Sequence, residues 1–353
     1  MISLQSVERR ALDFTAELCA TYTPAGREAA LLPPLKAELS RLGAAVAVLP
    51  VSEGRANILA TWGEPRILFS THLDVVPPEI PLRRLPGGVQ GRGACDAKGQ
   101  IAAQLAAIEL LLERGVAGLA WLGVCGEETD SIGAASAVGV AGAASLSLRA
   151  RLSSLRAIIN GEPTNCVLAA GQKGFLRVRL TCEGKAAHGA TPELGENALL
   201  ALMDWLESVR KAEGASDPTL GREAWNLGIL SGGRVANVVP DRAEAELALR
   251  TVPGGTLRAA LESAKPPRGK IEVLVDESWA LFDVPPGFPS APVPFGSDLP
   301  ALRALAPRAA AILAGPGRPE LAHTGVEELT AEEMSAGIAL FRDLGLRFAE
   351  AYE

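Results

Sequence analysis

The three histidines of this 353-residue chain stand in three separate short motifs. His72 lies in Ser70-Thr71-His72-Leu73-Asp74, His188 in Lys185-Ala186-Ala187-His188-Gly189, and His323 in Ala322-His323-Thr324. Between the first and the last fall Asp96, the adjacent Glu127-Glu128 and Glu162. Imidazoles and carboxylates together are ligands for divalent cations, and several carboxylates converging on one point repel each other unless a cation holds them. A mixed nitrogen and oxygen set suits zinc or cobalt better than the all-oxygen preference of calcium or magnesium. Two adjacent glutamates on a turn point in different directions. One can then bind metal while the other reaches a water, the division of labour that general-base hydrolysis requires.

Each residue also has an ordinary reading. A His two positions from an Asp is common by chance, and in a ligand role Asp74 would be the acceptor that orients the imidazole. Glu127-Glu128 could be a solvated acidic pair, Asp96 a helix N-cap, Glu162 before Pro163 a turn residue, and His188 a satisfied loop histidine. Cys95 and Cys125 lie close by and invite a thiol-nucleophile reading, although a buried Cys is usually a small apolar side chain. Placement weighs against the ordinary readings, because ligands gather at the carboxyl ends of strands in open α/β sheets. Apolar runs at residues 67–69, 121–124, 158–159 and 308–313 lead into His72, Glu127-Glu128, Glu162 and the loop of His323, while Asp96 closes a glycine-rich loop before a helix.

The elements behind this placement are legible as patterns. Continuous apolar runs at 66–70, 119–124 and 156–160 read as strands buried on both faces of a mainly parallel sheet. Residues 96–114 carry Ile101, Leu105, Ile108 and Leu111-Leu112 on one stripe and stop at Gly115, which predicts a helix. The small-residue stretch 133–148 reads as a helix or loop. After Gly171 the character changes. Residues 175–181 and 243–250 alternate, with Leu176, Val178 and Leu180, and Ala245, Leu247 and Leu249, each on one face, the mark of antiparallel strands wet on the other side. Residues 197–211 form an amphipathic helix pattern. The strand, helix, strand, strand, helix, strand order predicts a small inserted α+β lid ending near Pro285-Pro286, after which a strand at 308–313 and a helix at 330–349 resume the α/β pattern.

Length and composition bound the rest. The chain exceeds the size at which one core usually stops growing, so two domains are expected, at residues 1–171 with 285–353 and at 172–284. A net charge of −7 without a basic stripe argues against nucleic acid as a partner. Neither a membrane span nor a signal-peptide pattern is seen, so a cytoplasmic protein is expected. Five scattered cysteines without a Cys-x-x-Cys pair fit reduced thiols.

Taken in series, His72-Leu73-Asp74, Gly91-Arg92-Gly93-Ala94-Cys95-Asp96-Ala97-Lys98-Gly99, Gly126-Glu127-Glu128, Gly161-Glu162-Pro163-Thr164, Gly315-Pro316-Gly317 and Ala322-His323-Thr324 resemble the zinc aminoacylase family. That family includes acetylornithine deacetylase, succinyl-diaminopimelate desuccinylase and related carboxypeptidases and dipeptidases. The resemblance implies a zinc-exopeptidase-like α/β catalytic domain, a ferredoxin-like lid through which the chain forms a homodimer, and two divalent ions, zinc first and cobalt second. By match, one ion takes His72, Asp96 and Glu162, and the other takes Asp96, Glu128 and His323. Glu127 would be the general base that takes a proton from the attacking water and hands it to the leaving amine, with Asp74 beside the ligand imidazole. His188 matches the lid histidine that stabilises the oxyanion in the family, in its own or the partner subunit's site. Asn237 in Ala236-Asn237-Val238-Val239-Pro240, Arg250 in Leu249-Arg250-Thr251-Val252-Pro253 and Ser297 in Phe295-Gly296-Ser297-Asp298 match substrate-holding segments. Arg250 is suited to anchoring a carboxylate as a planar bidentate donor, and a pairing with Glu244 or Glu246 is its alternative. Two departures stand out: the stretch from His72 to Asp96 is short, and Gly325 occupies a position where an acidic residue is common. The implied activity is removal of an N-acyl group from an amino acid. Dipeptidase or carboxypeptidase action is the alternative within the family, and a non-catalytic binding module the alternative outside it.

Overall fold

The computed structural model describes residues 3–139 and 151–350. The chain divides into two compact units, one of Met1–Ala169, Phe282–Ser290 and Ser297–Glu353, the other of Ala170–Leu281 and Ala291–Gly296. Among the described residues no helix is long and apolar enough to cross a membrane.

The first unit is built on a six-stranded sheet in the order Ala45–Ser52, Arg55–Trp62, Leu119–Val124, Ile67–His72, Ala157–Gly161, Ala310–Ala314. The last four strands run parallel, and the first two form an antiparallel hairpin added at one edge. The mainly parallel α/β expectation is met. The hairpin was not foreseen, although Ala45–Leu49 is itself an unbroken apolar run and the second strand is buried at all but its first position. The strands at Ile67–His72, Leu119–Val124 and Ala157–Gly161 are buried at every position, as strands covered on both faces must be. On one face Lys98–Glu113 lies between the helices Leu4–Cys19 and Ala331–Glu350. This middle helix is buried nearly all round, so its apolar residues do not form a single stripe. Phe69 meets Phe341 edge-on at 6.2 Å, which ties the His72 strand to the C-terminal helix. The short helices Ile132–Val138 and Leu299–Leu302 cover the other face. Ile132–Val138 is the part of the small-residue stretch that is described; its remainder lies outside the described residues.

The second unit holds an antiparallel sheet in the order Ala224–Gly232, Arg242–Thr251, Gly174–Glu183, Gly269–Glu277. The expected alternation is present: Leu176, Val178, Leu180, Ala245, Leu247 and Leu249 are buried beneath the helices Ala198–Lys211 and Leu257–Ser263. Trp205 fills the space between the two helices and donates its indole N–H to the Leu261 carbonyl at 2.7 Å. Arg179 on the open face pairs with Glu246, Glu244 and Glu272. The βαββαβ order is that of the expected lid. Asn197 caps the longer helix by accepting from the Leu200 N–H.

Candidate metal centre

The parallel strands deliver their last residues to one end of the sheet, and the candidate ligands of the first unit meet there. His72 is the final residue of its strand and is 2% exposed. Its Nδ1 lies 3.0 Å from the Asp74 backbone carbonyl and its Nε2 2.9 Å from Asp96 Oδ1. A proton donated from Nδ1 leaves Nε2 as the lone-pair nitrogen, the form in which an imidazole ligates metal. Glu162 Oε2 is 3.9 Å from the same Nε2. The other oxygen of Asp96 is 3.3 Å from His323 Nε2, and Glu128 Oε1 is 2.9 Å from it. Asp96 therefore faces both imidazoles, one with each oxygen. Among the described residues, possible ligand atoms fall within 4.8 Å of one another in three groups: His72, Asp96 and Glu162; Asp96, Glu128 and His323; His72, Glu127 and Glu128.

The electrostatics test whether cations fit. Burial, with Glu162 nearby, pushes the Glu127 carboxyl well above its usual range. Burial likewise raises Glu162, to which Asp96 and Glu128 add against the opposing pull of His72. Glu128 is raised by burial although His323 opposes it. Asp96 goes the other way: burial is overcome by hydrogen bonds from His323 and His72, and its carboxyl is held low. Hydrogen bonds to Asp96 and Glu128 push His323 up to about 10. On His72 burial works downward, but Asp96, with the charges of Glu162 and Glu127, carries it well above the ordinary imidazole value. A constellation that can relieve its own repulsion only by retaining protons is one that positive ions would relieve. Glu162 Oε1 supports this, being a buried acceptor with no hydrogen-bond partner. The donor set fits a pair of divalent ions.

Local structure holds these groups in place. Asp74 is fully buried, and its carboxylate accepts from the backbone N–H groups of Gly126, Glu127 and Glu128 at 2.9, 3.1 and 3.1 Å. Asp74 accepts from the imidazole through its backbone oxygen, while its carboxylate stands 3.7 Å from His72 Nδ1. The turn that follows is clamped by Arg55, which makes two bonds to Asp130 at 2.8 and 2.9 Å and one to the buried Glu28 at 3.1 Å. Gly126 has φ +84°, and a Cβ there would fall 1.9 Å from Arg55 Nη2, so only glycine fits beneath the clamp. Asp96 is not a helix N-cap. That position is Ala97, and no side chain caps the helix. The Asp96 loop packs directly on the helix start, where a Cβ on Gly99 would lie 2.2 Å from the Ala94 carbonyl. His323 has φ +61°, a left-handed conformation uncommon for non-glycine residues but one that histidine adopts more readily than most.

The two thiols near the site are buried and held in the protonated form. Cys95 is buried and pushed well up by burial and by Glu327, and Cys125 is pushed up to about 12 chiefly by burial. Sequence reasoning missed Arg55, Asp130 and Glu327 as parts of this region, and it named Asp298 only as a loop residue. Asp298 is buried next to Ser297, and its charge bears on both Glu127 and Glu162.

The second unit carries the remaining candidates. His188 pairs with Val238 in an isolated bridge, and Gly189 N–H donates to the Asn237 carbonyl at 2.8 Å, which brings the two lid motifs side by side. His188 Nδ1 accepts from the Ala190 N–H at 3.0 Å. The Arg250 guanidinium lies 4.5 Å from the Phe175 ring centre, stacked on its register neighbour. Glu246 and Glu244 are instead partners of Arg179, so the alternative pairing for Arg250 is not found.

Comparison with known proteins places this geometry in context. Residues 170–265 match the family described as peptidase dimerisation domain. A protein of Aspergillus terreus named "Probable carboxypeptidase" is 32% identical, with the alignment covering 97% of this chain and 82% of the relative. A tripeptidase structure from Staphylococcus aureus superposes with a TM-score of 0.76 at 18% identity, over 96% of this chain and 99% of the other. An M20 family metallo-carboxypeptidase of Sulfolobus solfataricus superposes with a TM-score of 0.72 at 16% identity, over 96% and 99%. At these identities the two structures establish a shared fold.

Proposed function

The chain belongs to the M20 peptidase family, a family of metallo-hydrolases acting on amide or peptide bonds, and on that premise we propose that it is a two-metal exopeptidase of the carboxypeptidase or dipeptidase type. The observation that carries the reading is Asp96, whose two oxygens face two imidazoles at 2.9 and 3.3 Å. In this proposal His72, Asp96 and Glu162 hold one ion, Asp96, Glu128 and His323 hold the other, and zinc is the first choice of metal. A pair of divalent cations polarises a scissile carbonyl and makes water acidic enough to attack near neutral pH. Glu127 takes the proton from that water and delivers it to the leaving nitrogen, a role suited to a carboxyl raised by burial. His188 donates to the developing oxyanion. Arg250, stacked on Phe175, anchors the free carboxylate of the substrate, with Asn237 and Ser297 as further substrate contacts.

The names of the relatives favour peptides over the N-acetyl or N-succinyl amino acids that the sequence reading put first. Both substrate types present an amide beside a free carboxylate, so the same machinery serves either. A homodimer through the lid is part of the proposal. Leu200 and Met203 on the Ala198–Lys211 helix, and Ile229 and Leu230 on the edge strand Ala224–Gly232, are large apolar residues left exposed within the matched dimerisation domain.

The test is a panel of N-blocked dipeptides, free dipeptides and N-acetyl and N-succinyl amino acids, offered to protein loaded with zinc or cobalt. Release of the C-terminal amino acid from the blocked dipeptides is expected, with activity abolished by EDTA and indifferent to thiol alkylation. No turnover of any amide, or loss on alkylation with survival in EDTA, would overturn the reading.

A further inference from the structure

Asp96 and His323 lie on two loops: the stretch from Gly91 to Asp96 and the stretch from His323 to Glu327. They are joined by a buried ion pair that none of the ligand assignments uses. Arg92 Nη1 and Glu327 Oε2 are 2.8 Å apart, and their side chains are 2% and 1% exposed. The other oxygen of Glu327 accepts from the backbone N–H groups of Asp96 at 3.0 Å and Cys95 at 3.2 Å. The Glu327 carbonyl accepts from the Gly91 N–H at 2.9 Å. Arg92 in turn donates through Nη2 to the Thr324 carbonyl at 3.1 Å and through Nε to the Pro78 carbonyl at 3.0 Å. The pair thus grips the peptide groups beside Asp96 from one loop and the residue after His323 from the other. His323 itself is held by its ring contacts to Asp96 and Glu128 and by a turn that Thr324 closes onto Leu321 and Val326. Its side chain is 53% exposed and its backbone is left-handed, with φ +61°.

We propose that Arg92 and Glu327 are positioning residues: a buried strut that sets the spacing between the Asp96 and His323 loops, so that one carboxylate can serve both ion positions. This rests on the two-ion reading above. The strut makes a graded prediction, since the two ion groups depend on it unequally. The Asp96, Glu128 and His323 group draws on both loops that the strut joins. In the other group only Asp96 lies on a strutted loop, because His72 ends one strand of the sheet and Glu162 directly follows another.

The experiment is calorimetric titration of metal-free protein with zinc, with the melting midpoint measured beside it. Arg92→Lys keeps the charge but cannot reach Glu327, Thr324 and Pro78 together. Glu327→Gln keeps an acceptor for the backbone N–H groups and loses the ion pair. His323→Ala identifies the equivalent that belongs to the second group. For both strut variants the first zinc equivalent should stay within about threefold of the parent, while the second weakens by roughly 10–100-fold, the usual effect of removing a partner that orients ligands. Unchanged affinity for both equivalents, or equal weakening of both, overturns the proposal and leaves the pair a support of the fold. Should a single variant prove insoluble, Arg92→Met combined with Glu327→Leu carries the same measurement, because it leaves no buried charge unpaired. If the parent takes up only one equivalent, the two-ion reading fails on its own. The strut is then judged by whether the rise in melting midpoint given by that equivalent shrinks in the variants or, against the proposal, persists in full.

Discussion

Asp74→Asn is the sharpest probe of how the centre is held, because it alters one atom and leaves every candidate ligand in place. In the parent, one carboxylate oxygen receives the Gly126 and Glu127 N–H groups and the other receives the Glu128 N–H. An asparagine has a single acceptor oxygen, so its NH2 group must face one of these donors. Leaving that buried N–H without a partner costs about 1–3 kcal/mol. The other two bonds lose their charge assistance, falling from about 1.5–3 to about 0.5–1.5 kcal/mol each, or roughly 2–3 kcal/mol more. The whole loss, about 3–6 kcal/mol by this sum, falls on the turn that carries Glu127 and Glu128. The backbone carbonyl of Asp74 still receives His72 Nδ1, so the first ion group keeps its oriented imidazole. A displacement of about 1 Å at the base suffices for a loss of roughly 100-fold. The expected result is kcat lower by about 100-fold or more with KM little changed, measured on the best substrate of the panel, and a weakened second zinc equivalent by calorimetry. A kcat within about threefold of the parent would refute the argument that these three bonds place the base.

Other perturbations separate the roles of neighbouring groups. Glu127→Gln should retain its metal and its melting midpoint while activity falls by about 10²–10⁴-fold, the range for a lost general base; equal loss of metal by elemental analysis would show that base and ligand have been exchanged. Arg55→Lys cannot reproduce the two-pronged contact with Asp130, so kcat should fall by about tenfold or more as the Glu127 turn loosens; unaltered kinetics would confine Arg55 to surface stability. Glu109, nearly buried between Arg10 and Arg41, is a test of linkage. Burial raises its carboxyl, but the hydrogen bonds from the two arginines prevail and hold it below the usual range. A carboxyl depressed in the folded state contributes its full stability above the unfolded value near 4.3 and loses it as pH falls through the folded value. The gap in urea midpoint between the parent and Glu109→Gln should therefore be largest near neutrality and close as pH falls below about 4; a gap that widens in acid would reverse the assignment.

The amino-acid sequence alone marked the candidate ligands. His72, Glu127-Glu128 and Glu162 follow apolar runs that burial on both faces turns into parallel strands, and such strands bring their carboxyl ends together whatever lies between them. The alternation of Leu176, Val178 and Leu180 with Arg177 and Arg179 was equally legible, because a sheet with one wet face writes its period into the chain. The supports were not legible. Arg92 and Glu327 are 235 positions apart, Arg55 and Asp130 are 75, and each looks like an ordinary surface charge until the fold buries it or closes a loop on it. Asp74 shows both sides of this division. Its position two residues after His72 marked it as a partner of the imidazole, yet only the tertiary structure assigned its backbone to the histidine and its carboxylate to the turn of Glu127 and Glu128. Periodicity and strand ends are local properties of a sequence, whereas the pairing of buried charges depends on which distant loops the packed sheet brings within 3 Å of each other.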